Sequence, residues 1–111
     1  MFERVTQGAV DVIQGDLPLN VDHVEELGEL LHECLNHGQP YVVLDLEKVP
    51  LIDSAGLELL LDFKEESRQL GGALKLAAPS ALCEEILAIT GVGGQFEIFS
   101  ETLSAVGSFV R

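Results

Sequence analysis

The spacing of the apolar residues changes from alternating to helical within the first third of the chain. β-Branched residues recur on both sides of Gly8, which predicts two short strands joined by a tight turn across residues 2–14. A helix with its glutamates lying off one apolar stripe follows. The stripe consists of Val24, Leu27, Leu31, Cys34 and Leu35. Either Asn20 or Asp22 is expected to cap this helix, and Gly38 to end it.

Strands and helices alternate along the rest of the chain. The strands are expected at residues 41–46, 73–77 and 96–99. The first of these is a nearly unbroken apolar run, which predicts a central strand covered on both faces. The helices are expected at residues 54–70, 80–90 and 101–110. Gly71 and Gly91 stop the first two of them, and Ser100 is expected to cap the third.

The later helices each carry an apolar side. For the helix that begins near residue 54, this side is formed by Leu57, Leu60, Leu61 and Phe63. For the helix that begins at Pro79 and Ser80, it is formed by Leu82, Ile86, Leu87 and Ile89. For the last helix, it is formed by Leu103, Val106 and Val110. We expect these residues to face the rest of the protein.

The order of the elements predicts an α/β fold. Strands that alternate with helices form right-handed crossovers and a largely parallel sheet, to which the opening hairpin adds antiparallel pairing. The 111 residues fit one domain, residues 1–111, without a linker or repeat. The hydrophobic fraction is 47% but the aromatic fraction is only 5%, so the core is expected to be mainly aliphatic.

Charge excludes several classes of partner. The formal net charge of −13 argues against direct nucleic-acid binding and against anionic lipid surfaces. Residues 16–40 hold six carboxylates and no Lys or Arg. A solvated helix face explains this run simply, and a basic protein surface is the natural candidate if the face binds anything.

The two cysteines and the apolar runs indicate a cytoplasmic protein without membrane insertion. Cys34 and Cys83 form no C-x-x-C pair or disulfide framework, so both are expected to be reduced core residues. The chain opens without the charged start and apolar core of a signal peptide. No apolar run approaches the roughly 18 residues that a membrane helix needs.

The segment from Leu51 to Leu57 holds the chemistry that we consider most informative. Asp53 or Ser54 stands where a loop enters a helix and is the natural N-cap, while Gly56 permits close approach of other backbone. Free N–H groups at a helix start can also hold a phosphate. Ser54 is therefore a position at which phosphorylation is structurally tolerable, adding about −1.5 to −2 charge beside Asp53.

Other chemistry has less support. Asp45, Asp53 and Lys75 could suggest the phosphoacceptor site of a response-regulator receiver, but the expected acidic pair after the first strand is missing. The histidines are spaced nine and five residues apart, which does not bring imidazoles together on a helix as metal ligands. They are His23, His32 and His37. No G-x-S-x-G elbow supports a hydrolase triad, and the glycine-rich run at residues 91–94 is expected to be a turn.

The order of features resembles the STAS family, the sulfate-transporter and anti-sigma-factor-antagonist domain, over nearly the whole chain. The shared features are the hairpin, Gly15-Asp16-Leu17 before an acidic helix, the strand ending in Asp45-Leu46, the motif Ile52-Asp53-Ser54-Ala55-Gly56-Leu57, Gly71-Gly72 before a strand, and Ile86-Leu87 before Gly91. The Asp-Ser-x-Gly-Leu motif after an Asp-Leu strand end is the most specific of them.

The resemblance implies a STAS fold: a mixed, mostly parallel sheet of about five strands with an N-terminal hairpin and four helices mainly on one face. It also implies a stand-alone bacterial anti-sigma factor antagonist. Such a protein binds an anti-sigma factor with serine kinase activity and so releases sigma factor. Phosphorylation of the serine matching Ser54 disables it, and a phosphatase restores it. No catalysis and no cofactor are implied. The expected partner-binding residues are Ile52, Asp53, Ser54, Ala55, Gly56, Leu57, Glu58 and Asp62.

One position departs from the family pattern. The family often has Asp directly after the Gly-x-Leu turn, where this chain has Pro18. Either Asn20 or Asp22 takes over its polar role, or the response to the kinase is altered. The alternative function is that of an adaptor subunit in a lipid-transport ATPase or a sensory complex, with Ser54 only a helix cap.

Overall fold

The structure is a computed structural model that describes residues 1–36 and 40–109. The strands are β1 (Phe2–Gln7), β2 (Val10–Gly15), β3 (Tyr41–Asp45), β4 (Ala73–Ala77) and β5 (Ile98–Phe99). The helices are α1 (Val24–Leu35), α2 (Ser54–Gln69), α3 (Ala81–Thr90) and α4 (Thr102–Ser108). A short 3₁₀ helix, Val92–Gln95, lies between α3 and β5. The predicted alternation of strands and helices is confirmed.

The five strands form one mixed sheet in the order β1-β2-β3-β4-β5, with β3 in the middle. The opening hairpin is antiparallel, and every later pair is parallel. Gly8 makes the hairpin turn possible, because its φ of +64° lies in the region that side chains other than glycine rarely adopt. Since neighbouring parallel strands are joined by right-handed crossovers, α1, α2 and α3 lie on the same face of the sheet.

The larger core lies between the sheet and these three helices. It contains Ile13, Leu44 and Leu76 from the strands, together with Leu31 from α1 and Leu60 from α2. All of these side chains are fully buried. Burial at about 25 cal/mol per Å² of apolar area makes this layer the main source of stability. Because β2, β3 and β4 are parallel, their carboxyl ends meet at one edge of the sheet, from which the loops lead into α1, α2 and α3.

A smaller core on the opposite face is closed by α4. Ala105 of this helix packs with Val10, Val12, Val43 and Ala77 of the sheet. The central strand is thus covered on both faces, as its apolar run predicts. One helix on this face and three on the other agree with the expected architecture.

Lys75 of β4 lies beneath α4 and is 9% exposed. Its Nζ donates a hydrogen bond to Ser108 Oγ at 2.7 Å and lies 3.1 Å from a carboxylate oxygen of Glu97. The ammonium group is also 4.1 Å from the centre of the Phe109 ring. This buried charge is thereby compensated from three sides and links β4 to α4.

The predicted caps of α1 were wrong. The N-cap residue is His23, whose side chain makes no capping hydrogen bond. Asn20 instead closes a turn before the helix, because its Oδ1 accepts a hydrogen bond from the Asp22 N–H at 3.0 Å. The chain needs this turn to leave the sheet edge before it can become helical. Gly38, the expected end of the helix, lies outside the described residues.

The apolar side assigned to α3 was partly wrong. Gly91 ends the helix with a φ of +77°, as predicted. However, Cys83 and Leu87 are the residues that reach the core, while Leu82 and Ile89 are exposed by 48% and 76%. Apolar residues occupy most sides of this helix, so periodicity alone does not decide which of them faces the sheet.

The last strand and helix are shorter than predicted. The strand at residues 96–99 is reduced to Ile98 and Phe99. The N-cap of α4 is Glu101 rather than Ser100. Within the helix, Ala105 is buried against the sheet, and Leu103, two residues before it, lies on the other side of α4 and is exposed. Val110 lies outside the described part of the chain.

Candidate functional site

Two loops are joined at the carboxyl edge of the sheet, directly before α2. Leu19, between β2 and α1, pairs with Ile52 in an isolated parallel bridge. The Leu19 N–H donates to the Leu51 carbonyl oxygen at 2.9 Å, and the Asp53 N–H donates to the Leu19 carbonyl oxygen at 3.1 Å. Leu19 and Ile52 are also buried. The segment that enters α2 is therefore fixed both by backbone bonds and by apolar packing.

Asp53, and not Ser54, is the N-cap of α2. The Asp53 backbone is extended, and its Oδ1 accepts a hydrogen bond from the Gly56 N–H at 3.1 Å. A carboxylate at this position satisfies one of the free N–H groups of the first turn and complements the helix dipole. Ser54 is the first residue of the helix. Its side chain is exposed, and its hydroxyl makes no hydrogen bond with any residue in the described ranges.

Gly56 is the point of closest approach between the two loops. A β-carbon at this position would overlap the Leu19 carbonyl oxygen and would lie 2.9 Å from Cγ2 of Ile52. Only glycine leaves room for that carbonyl against the first turn of α2. The glycine of the motif is thus explained by packing of the loop, which holds Ser54 at the surface.

A third loop fixes the same segment from the other side. Ser80, the N-cap of α3, donates a hydrogen bond from its hydroxyl to the Val49 carbonyl oxygen at 3.2 Å and accepts one from the Cys83 N–H at 3.3 Å. The Cys83 thiol lies 3.3 Å from the same carbonyl oxygen. Sequence reasoning missed this contact and that of Leu19. The sequence indicated that Ser80 stands at a helix start. A predicted cap does not, however, indicate which other loop its hydroxyl contacts.

The predicted partner-binding residues fall into two groups. The buried members, Ile52, Gly56 and Leu57, hold the loop against the core. The exposed members are Ser54, Glu58 and Asp62, all on α2, while Asp53 and Ala55 are half-buried. Glu58 and Asp62 are four residues apart and therefore share one side of the helix. What the surface offers a partner is a serine hydroxyl followed by two carboxylates.

The side chain of Asn20, one of the two polar residues near Pro18, is engaged in the turn before α1. The Pro18 carbonyl oxygen lies 2.9 Å from Nδ1 of His23, and the Asn20 carbonyl oxygen accepts hydrogen bonds from the N–H groups of His23 and Val24. Neither Asn20 nor Asp22 bonds to Ser54 within the described residues. Asn20 directly follows Leu19, which brings it to the same edge of the sheet. Polar support of Ser54 by either Asn20 or Asp22 stays a prediction.

The residues that suggested a receiver site do not converge. Asp45 accepts a hydrogen bond from the Glu47 N–H at 2.9 Å, and Asp53 caps α2. Lys75 lies under α4, where its partners are Ser108 and Glu97, and it bonds to neither Asp45 nor Asp53 within the described residues. A receiver needs its lysine beside the phosphoacceptor carboxylate, so this geometry argues against that chemistry.

The cysteines and histidines behave as structural residues. Cys34 and Cys83 are free and buried, and burial raises the pKa of the Cys34 thiol to about 12 and also raises the pKa of Cys83. The Nδ1 atoms of His23 and His32 lie 2.9 and 2.8 Å from backbone carbonyl oxygens. No cluster of metal-ligating side chains occurs in the part of the chain that the structure describes, and His37 lies outside it. None of the described helices is long and apolar enough to cross a membrane.

Comparison with known proteins agrees with this geometry. The family described as the STAS domain matches residues 2–105. The chain belongs to the STAS domain family. A relative of this STAS chain is the Bordetella bronchiseptica protein BtrV, which is named as an anti-sigma factor antagonist. The two are 30% identical over 91 residues, which cover 82% of this chain and 78% of BtrV.

Solved STAS structures share the complete fold. A Thermotoga maritima protein described as an anti-sigma factor antagonist superposes with a TM-score of 0.91 at 22% identity, over 99% of this chain and 95% of its own. The antagonist SpoIIAA in its unphosphorylated form gives a TM-score of 0.83 at 19% identity, over 98% and 96% of the two chains. The phosphorylated form of SpoIIAA from Bacillus gives 0.75 at 20% identity over both whole chains.

Proposed function

We propose that this STAS domain is an anti-sigma factor antagonist controlled by phosphorylation of Ser54. In its unphosphorylated form it binds an anti-sigma factor with serine kinase activity, and sigma factor is released. Phosphorylation of Ser54 ends that binding, and a serine phosphatase restores it. The observation that carries the proposal is the exposed hydroxyl of Ser54 at the first position of α2, which makes no hydrogen bond within residues 1–36 and 40–109. The names of BtrV and of the Thermotoga maritima protein support the general role.

The surroundings of Ser54 suit a kinase substrate. Asp53 already accepts the bond from Gly56, so the serine hydroxyl is not needed to hold the helix start. A phosphate on it would lie beside the remaining free N–H groups of the first turn, where the helix dipole favours negative charge. The modification can therefore be accepted without unfolding α2. The existence of SpoIIAA in a phosphorylated form with the same fold supports this step.

Electrostatics explains why phosphorylation would end binding. A kinase that modifies Ser54 must present the phosphates of its nucleotide to that hydroxyl. A phosphate already on the serine adds about −1.5 to −2 charge at this place and meets like charge across the interface. A penalty of about 2.8 kcal/mol weakens binding 100-fold. Asp53, Glu58 and Asp62 add to the negative field on this side of the protein.

In the proposed cycle, the only task of this chain is to bind its partner. The cycle uses no cofactor and no catalysis by the domain, and it is a cytoplasmic cycle because its kinase consumes ATP. The net charge of −13 also directs the domain to a protein partner and not to DNA.

Phosphorylation in vitro tests the proposal. The domain is incubated with ATP and a purified anti-sigma factor kinase, and the modified residue is mapped by mass spectrometry. We expect one phosphate on Ser54 in the wild type and none in Ser54→Ala, while Ser104→Ala, which removes an exposed serine of α4, is phosphorylated normally. Phosphate on another residue, or none with any cognate kinase, contradicts the proposal.

Binding measurements complete the test. Calorimetry should give equal affinity for the wild type and Ser54→Ala, and loss of binding for Ser54→Asp. If a pull-down with the domain instead recovers a lipid-transport ATPase or a receptor complex, and this binding is insensitive to Ser54→Asp, the result favours an adaptor role. Because Asp53 is the cap, Ser54 would have no capping role in that case either.

A further inference from the structure

Helix α3 exposes apolar side chains that the core does not use. Leu82 and Ile89 are exposed by 48% and 76%, and Ile86 between them is half-buried, with part of its side chain packed against the larger core. The three residues stand at positions i, i+4 and i+7, so they form one stripe along the helix. Single exposed apolar residues are ordinary, but an aligned stripe is the pattern with which helices anchor themselves in apolar grooves.

This outer stripe of α3 (Leu82, Ile86 and Ile89) begins at the same edge of the sheet as Ser54. Ser80, two residues before Leu82, donates its hydroxyl to Val49 in the loop that leads to α2. The stripe then extends about 10 Å away from that edge, since each helical residue rises about 1.5 Å. A partner that covers Ser54 is therefore within reach of α3.

The charges beside the stripe specify the chemistry of its partner. Glu85 stands three residues after Leu82 and four before Ile89, so this exposed carboxylate borders the stripe, and Glu58 and Asp62 are exposed on α2. None of the described residues of α3 is Lys or Arg. An apolar stripe bordered by carboxylates complements an apolar patch bordered by Lys and Arg.

The same charges argue against two other occupants. In a symmetric dimer through α3, Glu85 of one copy would lie near the carboxylates of the other, and each copy has a net charge of −13. An anionic lipid surface would be repelled in the same way. A heterologous protein with a basic border is the occupant that the charge favours.

We propose that the outer stripe of α3 is the apolar anchor of the interface with the anti-sigma factor kinase, and that it contacts an apolar patch bordered by basic side chains on that protein. This inference rests on the proposed function and adds a division of labour to it. The anchor supplies affinity through buried apolar area, while Ser54 controls whether the adjoining contact is tolerated. Because the two parts lie on different helices, each can be removed separately.

A matched pair of variants tests the anchor. Ile89→Glu and Leu82→Glu place a charge in the stripe, and Leu103→Glu places one on α4 at a residue that is 75% exposed, against 76% for Ile89. The dissociation constant is measured by calorimetry with an anti-sigma factor kinase that binds the wild type. We expect Ile89→Glu and Leu82→Glu to weaken binding at least 10-fold and Leu103→Glu to change it less than 2-fold. Wild-type binding should also weaken as salt rises.

The outcomes separate the two proposals. If the wild type binds the kinase and both stripe variants bind equally well, the anchor is refuted and the proposed function is not. An equal loss in Leu103→Glu also refutes it, because the effect would then be general charge repulsion. A wild-type dimer in light scattering that Ile89→Glu dissociates would assign the stripe to a second copy and overturn the inference. If the wild type binds no cognate kinase, the proposed function fails, and the anchor fails with it.

Discussion

The carbonyl oxygen of Leu19 occupies the space that a β-carbon on Gly56 would need. The same oxygen accepts the hydrogen bond of the Asp53 N–H. One backbone atom from the loop before α1 thus fixes both the residue that caps α2 and the first turn that follows. Ser54 lies between these two contacts, so its exposure is a consequence of how the loops pack.

Replacing Gly56 should therefore loosen the site. Gly56→Ala must displace both Leu19 and the side chain of Ile52, and overpacking of this kind costs about 1–3 kcal/mol. The free energy of unfolding from urea denaturation measures it. Gly28→Ala is the control, because its β-carbon would meet only Leu59 Cδ1 at 3.6 Å and a helical Gly→Ala change gains about 0.5–1 kcal/mol. Equal effects of the two changes would contradict the packing argument.

The local pattern of the sequence was sufficient to predict most of the fold. It was also sufficient to predict that Ser54 lies at the start of a helix. Strong local signals, such as the apolar run of β3 and the glycine that ends α3, act within a few residues and can be recognised there. The hydrogen bonds that the Asp53 N–H donates to Leu19 and the Ser80 hydroxyl donates to Val49 could not be predicted, because each joins loops that are far apart in the chain.

Helices α3 and α4 show a second limit. In α3 the apolar residues outnumber those that the core can accept, so Leu82 and Ile89 were assigned to the wrong side. In α4 the helix approaches the sheet through Ala105, and the larger Leu103 faces solvent. Hydrophobicity predicts which residues can be buried, but the side of each helix that packs on the sheet decides which ones are. The proposed anchor on α3 consists largely of these exposed residues, Leu82 and Ile89.

The buried ammonium of Lys75 should be important for docking of α4. Lys75→Ala removes the bond to Ser108 and the contact with the Phe109 ring, and we expect a loss of about 2 kcal/mol in the free energy of unfolding. Hydrogen exchange should show faster exchange of the α4 amides than of the α2 amides. The rest of the sheet keeps its own core and should remain folded.

A control variant shows which contact of Lys75 stabilises the docking of α4. Glu97 lies 3.1 Å from the Lys75 ammonium, but its side chain is 67% exposed. Water screens the exposed carboxylate of this pair, so Glu97→Gln should change the free energy of unfolding by less than about 0.5 kcal/mol. A loss as large as that of Lys75→Ala would show instead that the ion pair holds α4.

The Cys34 thiol predicts how stability depends on pH in the alkaline range. Burial, followed by the charge of Asp11, raises the pKa of Cys34 from 9.0 to about 12. Between these values the unfolded chain has released the thiol proton while the folded chain retains it. Fewer protons bound in the unfolded state mean that stability falls as pH rises through this window. Cys34→Ala should flatten the fall in the free energy of unfolding between pH 9 and pH 12. Equal slopes for both proteins would contradict the assignment.

A negative charge at Ser54 should leave the fold intact, which separates its effect on binding from an effect on stability. A carboxylate in the first turn of a helix gains about 0.3–1 kcal/mol from the dipole, and repulsion from Asp53 offsets part of this. We therefore expect the free energy of unfolding of Ser54→Asp, measured in urea, to lie within about 0.5 kcal/mol of the wild-type value.

Ser67 provides the contrast, because it is fully buried in the same helix and donates its hydroxyl to the Lys64 carbonyl oxygen at 3.0 Å. Ser67→Asp buries a charge without a partner and should cost more than about 3 kcal/mol. If Ser54→Asp were destabilised as strongly as Ser67→Asp, loss of partner binding could be attributed to unfolding, and the phosphate would act on the fold and not on the interface.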